Sequence, residues 1–286
     1  MPWLSGARRR LGRLPAVRRL YDLGLHAKFS VDLRLARRRD RLWQPTQPRP
    51  QARLNVVMLS FGRPRNIQPI AESALRCDLV ERLVIVNNNP AVHLEDYVRI
   101  TSPRVTILHQ EVAGLPVRRF EIARDLPGEY FLAIDDDTLL RAPQIESLFR
   151  ALIADPTTPH GVIGQVIDGA VEPSSVLRYR MVERRAASVD ILNRVYLFTA
   201  AHLRRFFSLL SAIEGLAPLR YGDDLVLSFS GDSHPRIQDV GRVLYFPSGN
   251  DPAVALWLQP GFHEYRRAVY RDLVAATGRR NAAFTP

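Results

Sequence analysis

Between residues 54 and 155, short apolar runs alternate with longer stretches in which apolar residues recur every three or four positions. LNVVMLS (54–60), RLVIVNN (82–88), VTILH (105–109) and YFLAI (130–134) have strand length and little polar interruption. IQPIAESALRCD (67–78), PVRRFEIARDL (116–126) and PQIESLFRALIAD (143–155) have helical spacing. The last two open on proline, which suits a first helical turn. Strands that are apolar on both faces and separated by helices predict a mostly parallel sheet covered on both sides, an α/β class. Further on, PGFHEYRRAVYRDLV (260–274) predicts another helix.

The pattern before residue 54 is different. QPTQPRPQ (44–51) has three prolines in eight residues and predicts a linker between an Arg-rich extension, 1–50, and a single folded domain, 51–286. In the extension, Leu4, Ala7, Leu11, Leu14, Val17 and Tyr21 follow spacings of three and four, with Arg8, Arg9, Arg10, Arg13, Arg18 and Arg19 largely off that seam. Pro15 is expected to kink this helix. Twelve arginines and Lys28 against three aspartates give residues 1–50 a charge of +10, so of the whole chain's +11 only +1 belongs to the rest. Lys28 is the one lysine among forty basic residues, a bias that a GC-rich genome explains before guanidinium chemistry is needed.

A basic amphipathic segment of this kind can rest on an anionic membrane surface, each nearby cation contributing about 1 kcal/mol. A solvated extension or an organellar transit peptide has the same composition. The aromatics are not interleaved with the arginines as a stacking platform needs, which argues against nucleic acid. No run of 18 apolar residues predicts a membrane-spanning helix, and there is no uninterrupted secretory apolar run. A single cysteine, Cys77, excludes an internal disulfide and reads as a small core residue. These features predict a cytoplasmic protein, peripheral at the inner membrane face if the extension binds lipid.

In YFLAIDDDTLL (130–140), Asp135, Asp136 and Asp137 follow directly on an apolar strand. Open parallel sheets bind ligands at the carboxyl ends of their strands, where this cluster falls. Two like charges about 4 Å apart repel by about 4 kcal/mol at an effective dielectric of 20, so the cluster is expected to need a cation or proton uptake. Hard oxygen donors suit Mg²⁺ or Mn²⁺, ions that commonly arrive with substrate phosphates. The bland alternative is a solvated turn ahead of the helix at Pro143.

VVMLSFGRP, RLVIVNNNP, YFLAIDDDTLL and YGDDLVLSFSG, in that order, resemble the nucleotide-sugar-dependent glycosyltransferases of the GT-A fold. The likeness is nearest to the exostosin-like domain of glycosyltransferase family 64 and looser to family 2, over about residues 54–275. It implies a Rossmann-like single domain that moves a sugar from a nucleoside diphosphate sugar to a hydroxyl of a glycan, glycolipid or related acceptor, with Mn²⁺ or Mg²⁺. By position, it assigns Ser60, Arg63, Asn87 and Asn88 to the nucleoside, although Gly62 stands where the family more often has asparagine. Arg118 or Arg119 falls to the diphosphate, and Asp135 with Asp136 to the nucleotide. Asp137, Asp135 and a late histidine, His263, fall to the metal, with Arg266 nearby. The second acid of YGDD, Asp224, falls to catalysis, and in families of either stereochemical course it would orient or deprotonate the acceptor.

Each assignment has a plainer alternative in the residues. Asn87, Asn88 and Asn89 can form a turn before Pro90. Arg118 and Arg119 can lie on a solvated helix face, Asp223 can cap a helix, and Trp257 can be core instead of a sugar platform. Two other function classes stay open. A nucleotidyl- or phosphotransferase would use the same aspartates, although SFGRPRN lacks a Gly-rich loop or lysine. A non-enzymatic membrane or nucleic-acid adaptor would act through the basic extension.

Overall fold

A computed structural model describes residues 15–44, 48, 50–167, 179–213, 218–251 and 254–279. The fully buried strand β1 (Leu54–Ser60) runs parallel to β2 (Val80–Asn87) on one side and β4 (Tyr130–Ile134) on the other. β3 (Val105–His109) continues the parallel order beyond β2. The four apolar runs are therefore adjacent strands of one sheet. Their carboxyl ends line up, Ser60 opposite Asn87 and Asn87 opposite His109, which brings the LSFGRP, VNNNP and IDDD segments to one edge.

The other half of the sheet is built from shorter pieces. After β5 (Thr138–Leu139), β6 (His160–Gly161), β7 (Ile163–Ile167), β8 (Tyr179–Glu183), β9 (Ala187–Ser188) and β10 (Ile191–Leu192) comes β11 (Val195–Thr199), antiparallel to β4. With β12 (Arg236–Ile237), the main order is β3-β2-β1-β4-β11-β6-β12-β9. β10-β7-β8 form a second, antiparallel sheet, and β13 (Leu244–Tyr245) pairs with β5.

Helices cover both faces. Ile67 and Ile70 of α2 (Pro64–Leu75) and Phe149 of α4 (Ala142–Ala154) pack with Val56, Met58 and Leu132 on one side. Phe120 of α3 (Arg118–Asp125), Phe206 of α5 (Ala200–Ala212), Leu225 of α6 (Asp223–Ser228) and Tyr270 of α7 (Phe262–Thr277) pack with Val57, Phe131 and Phe198 on the other. α2 begins three residues before the predicted start, because Pro64 supplies its first turn. Pro116 stands just ahead of α3 instead of inside it. Cys77 is core, and burial pushes its thiol up to about 11.

The amphipathic pattern at residues 4–21 falls mostly outside the described residues. The described part of this region is a helix, α1 (Pro15–Leu42), and the expected kink at Pro15 lies at the edge of the described residues. The later half of α1 docks on the domain through Phe29, Leu33, Ala36 and, just beyond it, Trp43. The Phe29 ring lies 4.3 Å from that of Phe246, Arg37 pairs with Glu72 at 2.8 Å, and Asp32 pairs with Arg242 at 2.6 Å. On the opposite face Val31, Leu35 and Leu42 are exposed. Among the described residues, no helix is long and apolar enough to cross a membrane.

Candidate active site

The turn after β4 points three carboxylates in three directions. Asp135 pairs with Arg119 Nη1, Asp136 Oδ1 accepts from Arg63 Nη1 at 2.6 Å, and Asp137 Oδ1 accepts from Thr138 Oγ1 at 3.0 Å with Arg194 Nη1 at 3.7 Å. Backbone bonds hold the turn, Asp135 N donating to Arg194 O (2.9 Å) and Phe246 N to Asp137 O (2.8 Å). Arg194 adopts a φ of 64°, a left-handed conformation that costs a non-glycine residue on the order of 1 kcal/mol. This conformation presents the Arg194 carbonyl to Asp135.

The second acid pair enters from the opposite wall. Gly222, at φ 96°, is the N-cap of α6, and its left-handed turn sets Asp223 and Asp224 at the helix start. Asp223 is not the cap; its Oδ2 lies 3.2 Å from Arg119 Nε, within ion-pair reach but without an aligned hydrogen bond. Arg119 thus bridges the two acid clusters, with its guanidinium 5.3 Å from the Tyr196 ring centre. Asp224 pairs with Arg266 Nη1 of α7.

Repulsion among the acids is relieved in part by the chain's own guanidiniums, a source of positive charge beside the bound cation or proton uptake expected. Four guanidiniums, Arg63, Arg119, Arg194 and Arg266, are interleaved with five carboxylates. One negative charge remains in excess. Burial pushes Asp223 up to about 6, Arg119 opposing and Asp224 and Asp135 adding to the rise. Burial also pushes Asp136 up to about 6 against the pull of Arg63, and it raises Asp135 against that of Arg119.

Two cavities, of about 370 and 330 Å³, meet at Arg63, Arg119, Asp135 and Tyr221. The first is walled by Asp137, Asp223, Asp224 and Arg266, together with Gln165, Asn193 and Arg194. Leu59, Phe61, Asn88, Gly114 and Leu115 line the second. Several buried polar atoms in these walls lack a hydrogen-bond partner: Gln165 Oε1, Asp223 Oδ2 and Arg266 Nη2 in the first, and Asn88 Oδ1 in the second. Each costs about 1–3 kcal/mol unless water or a polar ligand satisfies it.

The sequence candidates separate by position. Arg63, Asn88, Arg119, Asp135, Asp136, Asp137 and Asp224 reach a cavity wall. Ser60 is buried beneath it, and Asn87 turns away to donate to Val92 O at 2.7 Å while its Oδ1 accepts from Asn89 N, an Asx turn before Pro90. Arg118 pairs with Glu121 and donates to Gln110 instead. His263 is half-buried with its ring edge-on to Phe262, and it lines neither cavity; Arg266 does. Trp257 is half-exposed in the wall of the first cavity, not core. Gln165, Asn193, Arg194 and Tyr196 come from short strands or their loops and carry no motif.

Among the described residues, no group of three or more His, Cys, Asp and Glu gathers as a metal cage. Asp135 and Asp137 nevertheless fit Mg²⁺ or Mn²⁺, which commonly take one or two protein carboxylates and complete their shell with water and substrate phosphate. The approach to Asp137 is kept clear by Gly249, where a Cβ would stand 2.8 Å from Asp137 Oδ2.

No protein-family model matches the chain, and no curated protein matches it by sequence. Solved structures do. The crystal structure of GalNAc-T7 with UDP, GalNAc and Mn²⁺ matches with a TM-score of 0.54 and 12% identity, over 78% of this chain and 48% of that one. The chain has the GT-A fold. It spans about half the length of that neighbour. S. aureus TarS, residues 1–349, matches at a TM-score of 0.47 and 12% identity over 78% of this chain and 70% of that one, a level that does not by itself establish a shared fold.

Proposed function

We propose that the protein is a glycosyltransferase that moves a hexosyl or N-acetylhexosaminyl group from a nucleoside diphosphate sugar to an acceptor hydroxyl. The observation that carries this reading is the meeting of two cavities at Arg119 and Asp135, one walled largely by apolar side chains with the Asn88 amide and the other by paired acids. The nucleoside occupies the cavity at Asn88, Gly114 and Leu115. Its diphosphate lies at the junction, where Arg119 and Arg63 present guanidinium forks that suit phosphate oxygens. The sugar and acceptor share the cavity of Asp223 and Asp224.

Asp137 and Asp135 would hold Mg²⁺ or Mn²⁺. Such an ion, when bound, neutralises charge on a diphosphate leaving group. Arg119 adds positive charge there, and its release from Asp135 and Asp223 as phosphate binds would free both acids. The acceptor oxygen bonds to the anomeric carbon as the bond from that carbon to the diphosphate breaks. The nucleoside diphosphate departs with the electron pair, and the hydroxyl proton passes to Asp224. Arg266 holds Asp224 by Oδ1, leaving Oδ2 for the acceptor. Asp223, beside Asp224 at the start of α6, is pushed up to about 6.

Acceptors that fit the class are polysaccharide, glycolipid or cell-wall glycan precursors. The exposed Val31, Leu35 and Leu42 of α1, with Arg34, Arg38, Arg39 and Arg41 also exposed, support peripheral contact with an anionic membrane. A panel of sugar nucleotides with Mn²⁺ or Mg²⁺ tests the reading through released nucleoside diphosphate. One donor is expected to be turned over, with Asp224→Asn lowering the rate at least 100-fold while donor binding persists, in keeping with loss of a general base. Turnover undiminished in that variant would remove Asp224 from the mechanism.

A further inference from the structure

Among the described residues, ten large hydrophobic side chains are exposed, and four of them belong to α1. The other six are Phe61, Val112, Met181, Leu256, Trp257 and Leu258. Phe61, Met181, Leu256 and Trp257 stand in the walls of the two cavities, Val112 adjoins the wall residue Ala113, and Leu258 follows Trp257. Exposed apolar side chains scattered singly need no explanation; Met181, Leu256 and Trp257 share one cavity wall with Asp224, and such a grouping marks a binding surface.

The chemistry of this rim is informative. Leu256–Leu258 is a short 3-10 turn of three large apolar residues, none of them buried. Four of the six side chains are aliphatic, and these gain little from a sugar face but do gain by removing a hydrocarbon chain from water. The same cavity wall carries two chemistries: acids that can take a hydroxyl proton, and exposed apolar side chains. A ligand matching both is polar at one end and hydrocarbon at the other.

We infer that the acceptor is an amphiphile, its hydroxyl at Asp224 and its alkyl or isoprenoid chain lying along Leu256, Leu258 and Met181. The inference rests on the transferase reading of the site and names the acceptor class within it.

Binding of n-alkyl β-D-glucosides, from methyl to nonyl and each below its micelle concentration, to the full chain by calorimetry tests the inference. Full burial of a methylene corresponds to about a fourfold gain in affinity, so a half-open rim is expected to give about twofold per added methylene. Leu256→Ser and Leu258→Ser are each expected to flatten that slope, and Leu35→Ser on α1 to leave it unchanged. Exposed positions tolerate these changes, and circular dichroism melting checks the fold. A slope near zero in the unaltered protein overturns the inference, as does a slope lost in Leu35→Ser and kept in Leu256→Ser. Nucleoside diphosphates with Mn²⁺, titrated into the same samples, separate the two readings. Nucleotide binding with a flat alkyl series defeats the amphiphile alone, whereas a steep series without nucleotide binding defeats the transferase and leaves the amphiphile site standing.

Discussion

Arg119 is the cation on which both acid clusters converge, so replacing it with methionine, which keeps much of the stem's packing, isolates the charge. Removing one partner of a buried ion pair costs about 3–5 kcal/mol, because the charge left behind is unpaired. Here that cost has a ceiling, since the abandoned acids can protonate. Asp223 stands at about 6 even with Arg119 in place, so neutralising it at pH 7.5 costs at most about 2 kcal/mol. Burial raises Asp135 as well, so it too can take up a proton. Arg119→Met is therefore expected to lose about 2 kcal/mol more at pH 7.5 than at pH 5.0, where Asp223 already takes up its proton. Urea titrations followed by circular dichroism at the two pH values measure both. Equal losses at the two pH values, or a loss below about 1 kcal/mol at pH 7.5, would refute the bridging role.

Three other outcomes follow from the same geometry. Asp223 has a folded value of about 6 against about 3.9 unfolded, so its contribution to stability is complete below about pH 4 and is lost as pH rises through 6. Asp223→Asn is expected to reduce the fall in stability between pH 4 and 7 by on the order of 2–3 kcal/mol, and an unchanged slope in urea midpoints would contradict this. Gly249→Ala is expected to crowd Asp137 at a folding cost of about 1–3 kcal/mol while abolishing Mn²⁺-dependent nucleotide binding in calorimetry. Phe29→Ala is expected to cost about 2 kcal/mol and weaken the same binding, since Phe29 packs on Phe246, whose N–H holds Asp137 O; melting and calorimetry together check it.

The parallel half of the sheet was legible because β1, β4 and most of β2 are buried on both faces and so lack polar interruptions, and because the edge strand β3 is still a short apolar run. β2 begins two residues before its predicted start, at Val80, because the exposed Glu81 and Arg82 interrupt the apolar run there. The antiparallel half was not legible, since β6, β9, β10 and β12 are two residues each and too short to carry a period. The acids were readable from their place after β4 and at the start of α6. Their counterions were not, because Arg119 meets Asp223 and Asp224 meets Arg266 across long sequence separations that no local pattern encodes. Docking of α1 did leave a signal: Phe29, Leu33, Ala36, Asp40 and Trp43 follow helical spacing, hidden in composition by the arginines around them.

The most direct measurement of the central claim is thermal stabilisation of the purified chain by nucleoside diphosphates with Mn²⁺ or Mg²⁺, compared with each component alone. At 100 times Kd, binding contributes about 2.7 kcal/mol, a shift of several degrees. One base is expected to stabilise the protein only with metal present, and Asp137→Ala to abolish the effect. Stabilisation by no nucleotide with either metal, or by nucleotide equally in Asp137→Ala, would contradict the account.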